Sequence, residues 1–129
     1  MITHITKEDL EHAPTFSDIA AEVGSFFGPQ TVLIGHNINF DLTILKRFLP
    51  VEPYAVIDTF PLTQSLIHFL PSYALEVINK SLISKNPSHH KEDASSYHHA
   101  LYDAAASFHV FSACIHHLGE LIEAYPELT

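Results

Sequence analysis

Two short stretches of this sequence bring together residue types that move protons or hold cations. In Gly35-His36-Asn37-Ile38-Asn39-Phe40-Asp41 a carboxylate follows closely on an apolar, β-branched burst. In His98-His99-Ala100-Leu101-Tyr102-Asp103-Ala104-Ala105 a histidine stands five residues before a second carboxylate. At the carboxyl ends of parallel strands, where ligand sites of open α/β sheets collect, an acid held by a helix N-terminus still points into the cleft. Asp41 takes that position, and Asn37 and Asn39 are available to cap or brace the turn. Five residues on one regular helix would set His98 and Asp103 well apart around the axis, so His98 belongs on the loop side of the boundary and Asp103 in the first turns. An imidazole on such a lip is free to meet a water, while a carboxylate on the helix is suited to a metal ion. Plainer readings stand beside these. Asp41 is also a favourable first-turn acid with Asn39 as its cap, and histidine pairs recur in this chain at His89-His90 and His116-His117.

The elements that must position these residues follow from periodicity. Thr6 with Asp9, and Thr15 with Asp18, are capping-box-like helix starts. Phe16, Ile19, Val23, Phe26 and Phe27 keep helical spacing until Gly28-Pro29 stops the run. Thr31 to Gly35 reads as a strand buried on both faces, and Tyr54 to Ile57 as a second. Between them Leu42, Leu45, Phe48 and Leu49 mark a helix from Phe40 to Leu49, ended by Pro50. After Asp58-Thr59 a helix is expected toward Leu70, with Pro61 tolerated in its first turn, and another over Ala74 to Leu82. Residues Ser84 to Tyr97 are polar and aperiodic and read as a mobile surface loop. Leu101, Ala104 or Ala105, Phe108, Phe111, Ile115, Leu118 and Ile122 then predict one long amphipathic helix from about His99 to about Ala124. The class is α/β with parallel pairing. Two strands against five or six helices is a small sheet, since about four to six strands are usual; either further strands escape this reading or part of the sheet is not encoded here.

Composition bounds the class. The 129 residues form one domain, residues 1–129, with 47% hydrophobic and 16% charged residues, enough apolar material for a core. Six Lys and Arg against 15 Asp and Glu give a formal charge of −9, and 11 His would offset part of it toward pH 6. This balance argues against a polyanion clamp of Lys and Arg, and any nucleic-acid role would need cations to mediate it. The single cysteine, Cys114, rules out an internal disulfide framework and a cysteine-based zinc cluster; its place near the last helix's apolar stripe suits a small core residue. His109 and His116 fall off that stripe and are expected to be solvated. No signal-like N-region or membrane-length apolar run is present, and a cytoplasmic protein is expected.

Taken together, the two stretches resemble the second and third motifs of the DEDDh-type 3′–5′ exonucleases, the family of the proofreading epsilon subunit of bacterial DNA polymerase III, with a ribonuclease H-like fold. His36-Asn37-Ile38-Asn39-Phe40-Asp41 matches His-Asn-x-x-Phe-Asp, and His98-His99-Ala100-Leu101-Tyr102-Asp103-Ala104 matches His-x-Ala-Leu-x-Asp-Ala. Val56-Ile57-Asp58-Thr59, Tyr73-Ala74-Leu75-Glu76 and even Ile2-Thr3-His4-Ile5-Thr6 fall in the family's order. The resemblance covers essentially the whole chain. It implies hydrolysis of phosphodiester bonds at DNA or RNA 3′ ends with two Mg²⁺ or Mn²⁺ ions about 4 Å apart. In that scheme Asp41 and Asp103 are metal ligands, His98 is the general base, and His36, Asn37 and Phe40 are candidate substrate contacts. Asp58 matches a family position at a strand end that is usually structural.

The family's first motif, Asp-x-Glu on the first strand, has no counterpart here. Glu8, Asp9 and Glu11 are more simply a negative helix start. The N-terminal strands of the sheet are therefore expected to be missing, and the chain to be weakly active or inactive by itself. Three functions follow. The first is an exonuclease domain active when a second polypeptide supplies those strands. The second is a non-catalytic module docking a polymerase or a nucleic-acid end. The third is a His-rich transition-metal binder. Strand Thr31 to Gly35 would present an unpaired edge, which predicts a homo-oligomer or a partner complex covering it.

Overall fold

The computed structural model describes residues 5–50, 52–83 and 99–128. The expected loop over Ser84 to Tyr97, and His98 with it, lies outside the described residues. Two strands, β1 (Val32–Gly35) and β2 (Ala55–Asp58), pair in parallel with Val32 beside Ala55 and Gly35 beside Asp58. Around them run α1 (Lys7–Glu11), α2 (Phe16–Ser25), α3 (Asn39–Phe48), α4 (Thr59–Leu66), α5 (Leu75–Ile83) and α6 (Ala100–Ala124), followed by a 3₁₀ turn at Pro126–Leu128. This is the expected truncated α/β architecture, consistent with part of a ribonuclease H-like domain.

Local chemistry accounts for most boundaries. At α1 the Thr6 N–H and hydroxyl both donate to Asp9 Oδ2 at 2.8 Å, and Asp9 N–H donates back to Thr6 Oγ1. Thr15 N–H and hydroxyl donate to Asp18 Oδ2 in the same way at the start of α2. These hydrogen bonds hold both carboxyls below the ordinary aspartate range. Arg47 and Lys46 close α3, where the helix dipole favours cations.

One helix is shorter than its apolar spacing predicts. α4 stops at Leu66 rather than near Leu70. Ile67 turns extended and Phe69 takes a left-handed backbone, φ 70°. Pro71 disfavours helical backbone at the residue before it and offers no N–H of its own, so no helix crosses this stretch.

The core lies between α4, α5 and α6. Ile78, Val110 and Cys114 are fully buried, and Leu62, Leu66, Ile67, Leu70, Tyr73, Leu75 and Leu82 pack against them. Cys114 is thus the core residue it was expected to be, and burial pushes its thiol pKa up. The 25-residue α6 corrects the expected burial pattern. Its buried face is Ala106, Ser107, Val110 and Cys114. The stripe that its period marks is open over much of its length: Leu101, Phe108, Ile115 and Ile122 are 82%, 55%, 49% and 45% exposed, while Phe111 and Leu118 are half-buried. Helix α6 is apolar on two sides, and α4 and α5 occupy only one of them.

Candidate active site at the carboxyl edge of the two strands

The site begins where β1 ends. Gly35 is required there. A Cβ on it would stand 2.7 Å from Ile38 Cδ1 and 2.9 Å from its Cγ1, and Ile38 is buried under the turn. The chain then reverses through Asn37, whose φ of 56° is a left-handed conformation that Asn tolerates better than most residues. Helix α3 starts at Asn39 with Ile38 as its N-cap and no side-chain cap. Neither Asn37 nor Asn39 therefore caps the helix through its side chain. Asn37 serves the turn through its backbone.

Two residues from the end of β2 lock this turn. Asp58 Oδ1 accepts the Asn37 N–H at 2.8 Å and the Phe60 N–H at 2.9 Å, so one oxygen both fixes the β1–α3 turn and caps α4. Thr59, fully buried, lies with its hydroxyl 3.1 Å from Gly35 O and 3.0 Å from His36 Nδ1. His36 Nε2 is 2.9 Å from Tyr73 O. A carbonyl only accepts, so Nε2 carries a proton. The Thr59 hydroxyl donates its single proton to Gly35 O, and a neutral His36 ring competes for that proton through Nδ1. Burial lowers the His36 pKa, against opposing contributions from the Tyr73 carbonyl and the Asp58 charge. The ring of Phe60 meets it edge-on at 5.5 Å.

The five candidate residues that the structure describes thus divide. His36 is half-buried with both ring nitrogens engaged by protein. Asn37 is exposed at the turn, and Phe40 is 69% exposed on the first turn of α3. Asp41 is exposed on the same turn. Asp103 is half-buried in the first turn of α6, its N–H donating to His99 O and its carbonyl accepting the Ser107 hydroxyl at 2.8 Å. Helix α6 packs against β1, the strand that leads into the turn before Asp41. Among the described residues no group of three or more His, Cys, Asp or Glu forms a cation cluster. Two carboxylates at helix starts are the hard oxygen donors that Mg²⁺ and Mn²⁺ prefer. Two is fewer than a two-ion site requires, so these donors fit such a site only in part. The brace by Asp58 and Thr59 was missed as a site feature; only the N-cap position of Asp58, directly after the second strand, was legible, not its reach to Asn37.

His109 and His116 are exposed, as expected. His116 and His117 both face Glu120, at 3.4 and 3.7 Å. Among the described residues no helix is long and apolar enough to cross a membrane.

Comparison with known proteins places this arrangement. The exonuclease family profile RNase_T matches residues 1–111. The chain is 28% identical to a DNA polymerase III subunit epsilon of Treponema pallidum over 124 residues, covering 90% of this chain and 53% of that protein. It is 31% identical over 114 residues to a PolC-type DNA polymerase III of Halalkalibacterium halodurans, covering 84% of this chain and 7% of that protein. It is 26% identical over 124 residues to the PolC-type enzyme of Oceanobacillus iheyensis, covering 92% and 8%. The chain spans about half the length of the epsilon relative and under a tenth of the PolC relatives. No solved structure matches it. With most of its length matched by the profile, and with both motifs set at helix starts, the chain belongs to the exonuclease family of the DNA polymerase III epsilon and PolC type.

Proposed function

We propose that this chain is one incomplete exonuclease domain, residues 1–129, that removes nucleotides from DNA or RNA 3′ ends. Its place in the cell would be the cytoplasm, beside a DNA polymerase in replication or repair. The observation that supports this reading best is the braced turn at the carboxyl end of β1, which delivers Phe40 and Asp41 on the exposed first turn of α3. Asp41 and Asp103 would hold divalent cations, Mg²⁺ or Mn²⁺. When bound, such ions stabilise charge on the scissile phosphate and offset the acidity of the chain. His98 would take the proton of the attacking water. The exposed ring of Phe40 offers a face to the terminal base or sugar, and Asn37 and His36 hold the turn beneath it.

Full activity would require a strand carrying an Asp-x-Glu pair at the edge of β1 that has no strand beside it among the described residues. A constellation that acts as a unit loses far more than a proportional share when ligands are absent. The two-stranded sheet and the open face of α6 support this reading.

The test is magnesium-dependent release of mononucleotides from single-stranded DNA and RNA, with and without a polypeptide that carries Asp-x-Glu on a strand. Release that appears on adding the polypeptide, and disappears in Asp103→Ala and His98→Ala, supports the proposal. Binding of 3′ ends with no release under either condition would instead make the chain a docking module. Tight Zn²⁺ binding indifferent to Asp41→Ala and Asp103→Ala would make it a transition-metal binder.

A further inference from the structure

A single oxygen of Asp58 receives backbone N–H groups from two different strand exits. Register places Asp58 directly beside Gly35, so its side chain reaches across to the first residues after β1. The Asn37 N–H that it accepts belongs to the residue with the left-handed backbone. That conformation costs an L residue about 1–2 kcal/mol, and a side-chain oxygen within reach of its N–H offsets part of the cost. Below it, Gly35 and Ile38 leave no slack in the turn. Rotation at Asn37 would swing the first turn of α3, and with it Asp41, relative to the sheet.

We propose that Asp58 is a positioning residue: through the Asn37 N–H it sets the direction in which α3 presents Asp41, and so tunes cation binding without touching the cation. This rests on the reading of Asp41 as a cation ligand. It departs from a purely structural cap because capping α4 needs only the Phe60 contact, whereas the Asn37 contact serves the site.

The two contacts separate by substitution. Ser is a good N-cap and keeps the Phe60 contact, but its single hydroxyl oxygen is too short to bridge to Asn37 as well. Asn keeps a carbonyl oxygen of the right reach and loses the charge. Asp9→Ala removes an equal charge and a similar cap at α1 and serves as the control. Amide hydrogen exchange without metal reads the clamp. In Asp58→Ser the Asn37 amide should exchange about tenfold faster or more while Phe60 stays protected, and Asp58→Asn should restore Asn37. Mn²⁺ broadening of the Asn39 to Asp41 amides then reads the consequence. It should persist in wild type, Asp58→Asn and Asp9→Ala and fade in Asp58→Ser. Unchanged Asn37 exchange in Asp58→Ser would overturn the clamp. Faster exchange with undiminished broadening would reduce Asp58 to a fold residue and overturn the positioning role. Absence of broadening in the wild type would overturn the reading of Asp41 itself, while the exchange result still decides the clamp.

Discussion

Asn37 and His36 carry the motif by which this chain resembles its relatives, yet the atoms they commit to the protein are structural ones. At Asn37 the committed group is the backbone N–H, given to Asp58. Replacing Asn37 by Gly should therefore leave stability nearly unchanged, since Gly adopts φ 56° without a steric cost. Asn37→Ala should lose about 1 kcal/mol; chemical denaturation of the two variants decides. Equal losses would mean that the side chain, not the backbone, is what the turn needs.

At His36 the committed groups are the two ring nitrogens. Its pKa is lowered from the ordinary 6.5 on folding, so below about that pH the unfolded chain binds the proton first. Stability tied to His36 is present above pH 6.5 and drains away as pH falls. The difference in unfolding free energy between wild type and His36→Gln, followed from pH 7.5 downward, should shrink through that window. A difference that is constant with pH would show that the ring is not held neutral.

At the scale of elements, two glycines predict opposite outcomes. Gly35→Ala forces a Cβ to within 2.7 Å of a buried Ile38 side chain that has no room to yield, so a loss of about 1–3 kcal/mol is expected. Gly119→Ala places a Cβ inside α6 with nothing within 4 Å and should gain about 0.5–1 kcal/mol. Denaturation midpoints of both variants test the pair.

The same elements show what the residue pattern could convey. Strand and helix order was legible because β-branched bursts and three- and four-residue steps differ sharply. So was the placement of Asp41 and Asp103 in first turns, because an acid there is favoured by the dipole whatever its function. The end of α4 was not legible from apolar spacing, since Ile67 and Leu70 continue a helical stripe while joining the core from an extended segment. The Asp58 brace was not legible either: a contact spanning 21 residues between two turns leaves no local trace.

For the whole molecule the open face of α6 is the feature that neither stability nor the braced turn accounts for. Leu101, Ala105, Phe108, Ser112, Ile115, Gly119 and Ile122 alternate in steps of four and three, and all are exposed. Large side chains thus alternate with small ones along a single seam, a surface suited to close packing against another layer. Periodicity placed Leu101, Phe108, Ile115 and Ile122 on one apolar stripe because it reports that a face is apolar, not which neighbour covers it. Helix α6 reaches β1, and β1 has no strand on its far side among the described residues, so a strand added at that edge is the layer that this seam would cover. Two charge insertions discriminate. Val110→Asp buries an unpaired carboxylate in the core and should abolish folding, whereas Phe108→Asp should leave the thermal transition within a few degrees of wild type. Sedimentation should show concentration-dependent association, or capture of the strand-bearing polypeptide, for wild type and its loss in Phe108→Asp. If Phe108→Asp assembles as well as wild type, the partner does not use this face, and the strand edge must be covered from the other side of the sheet.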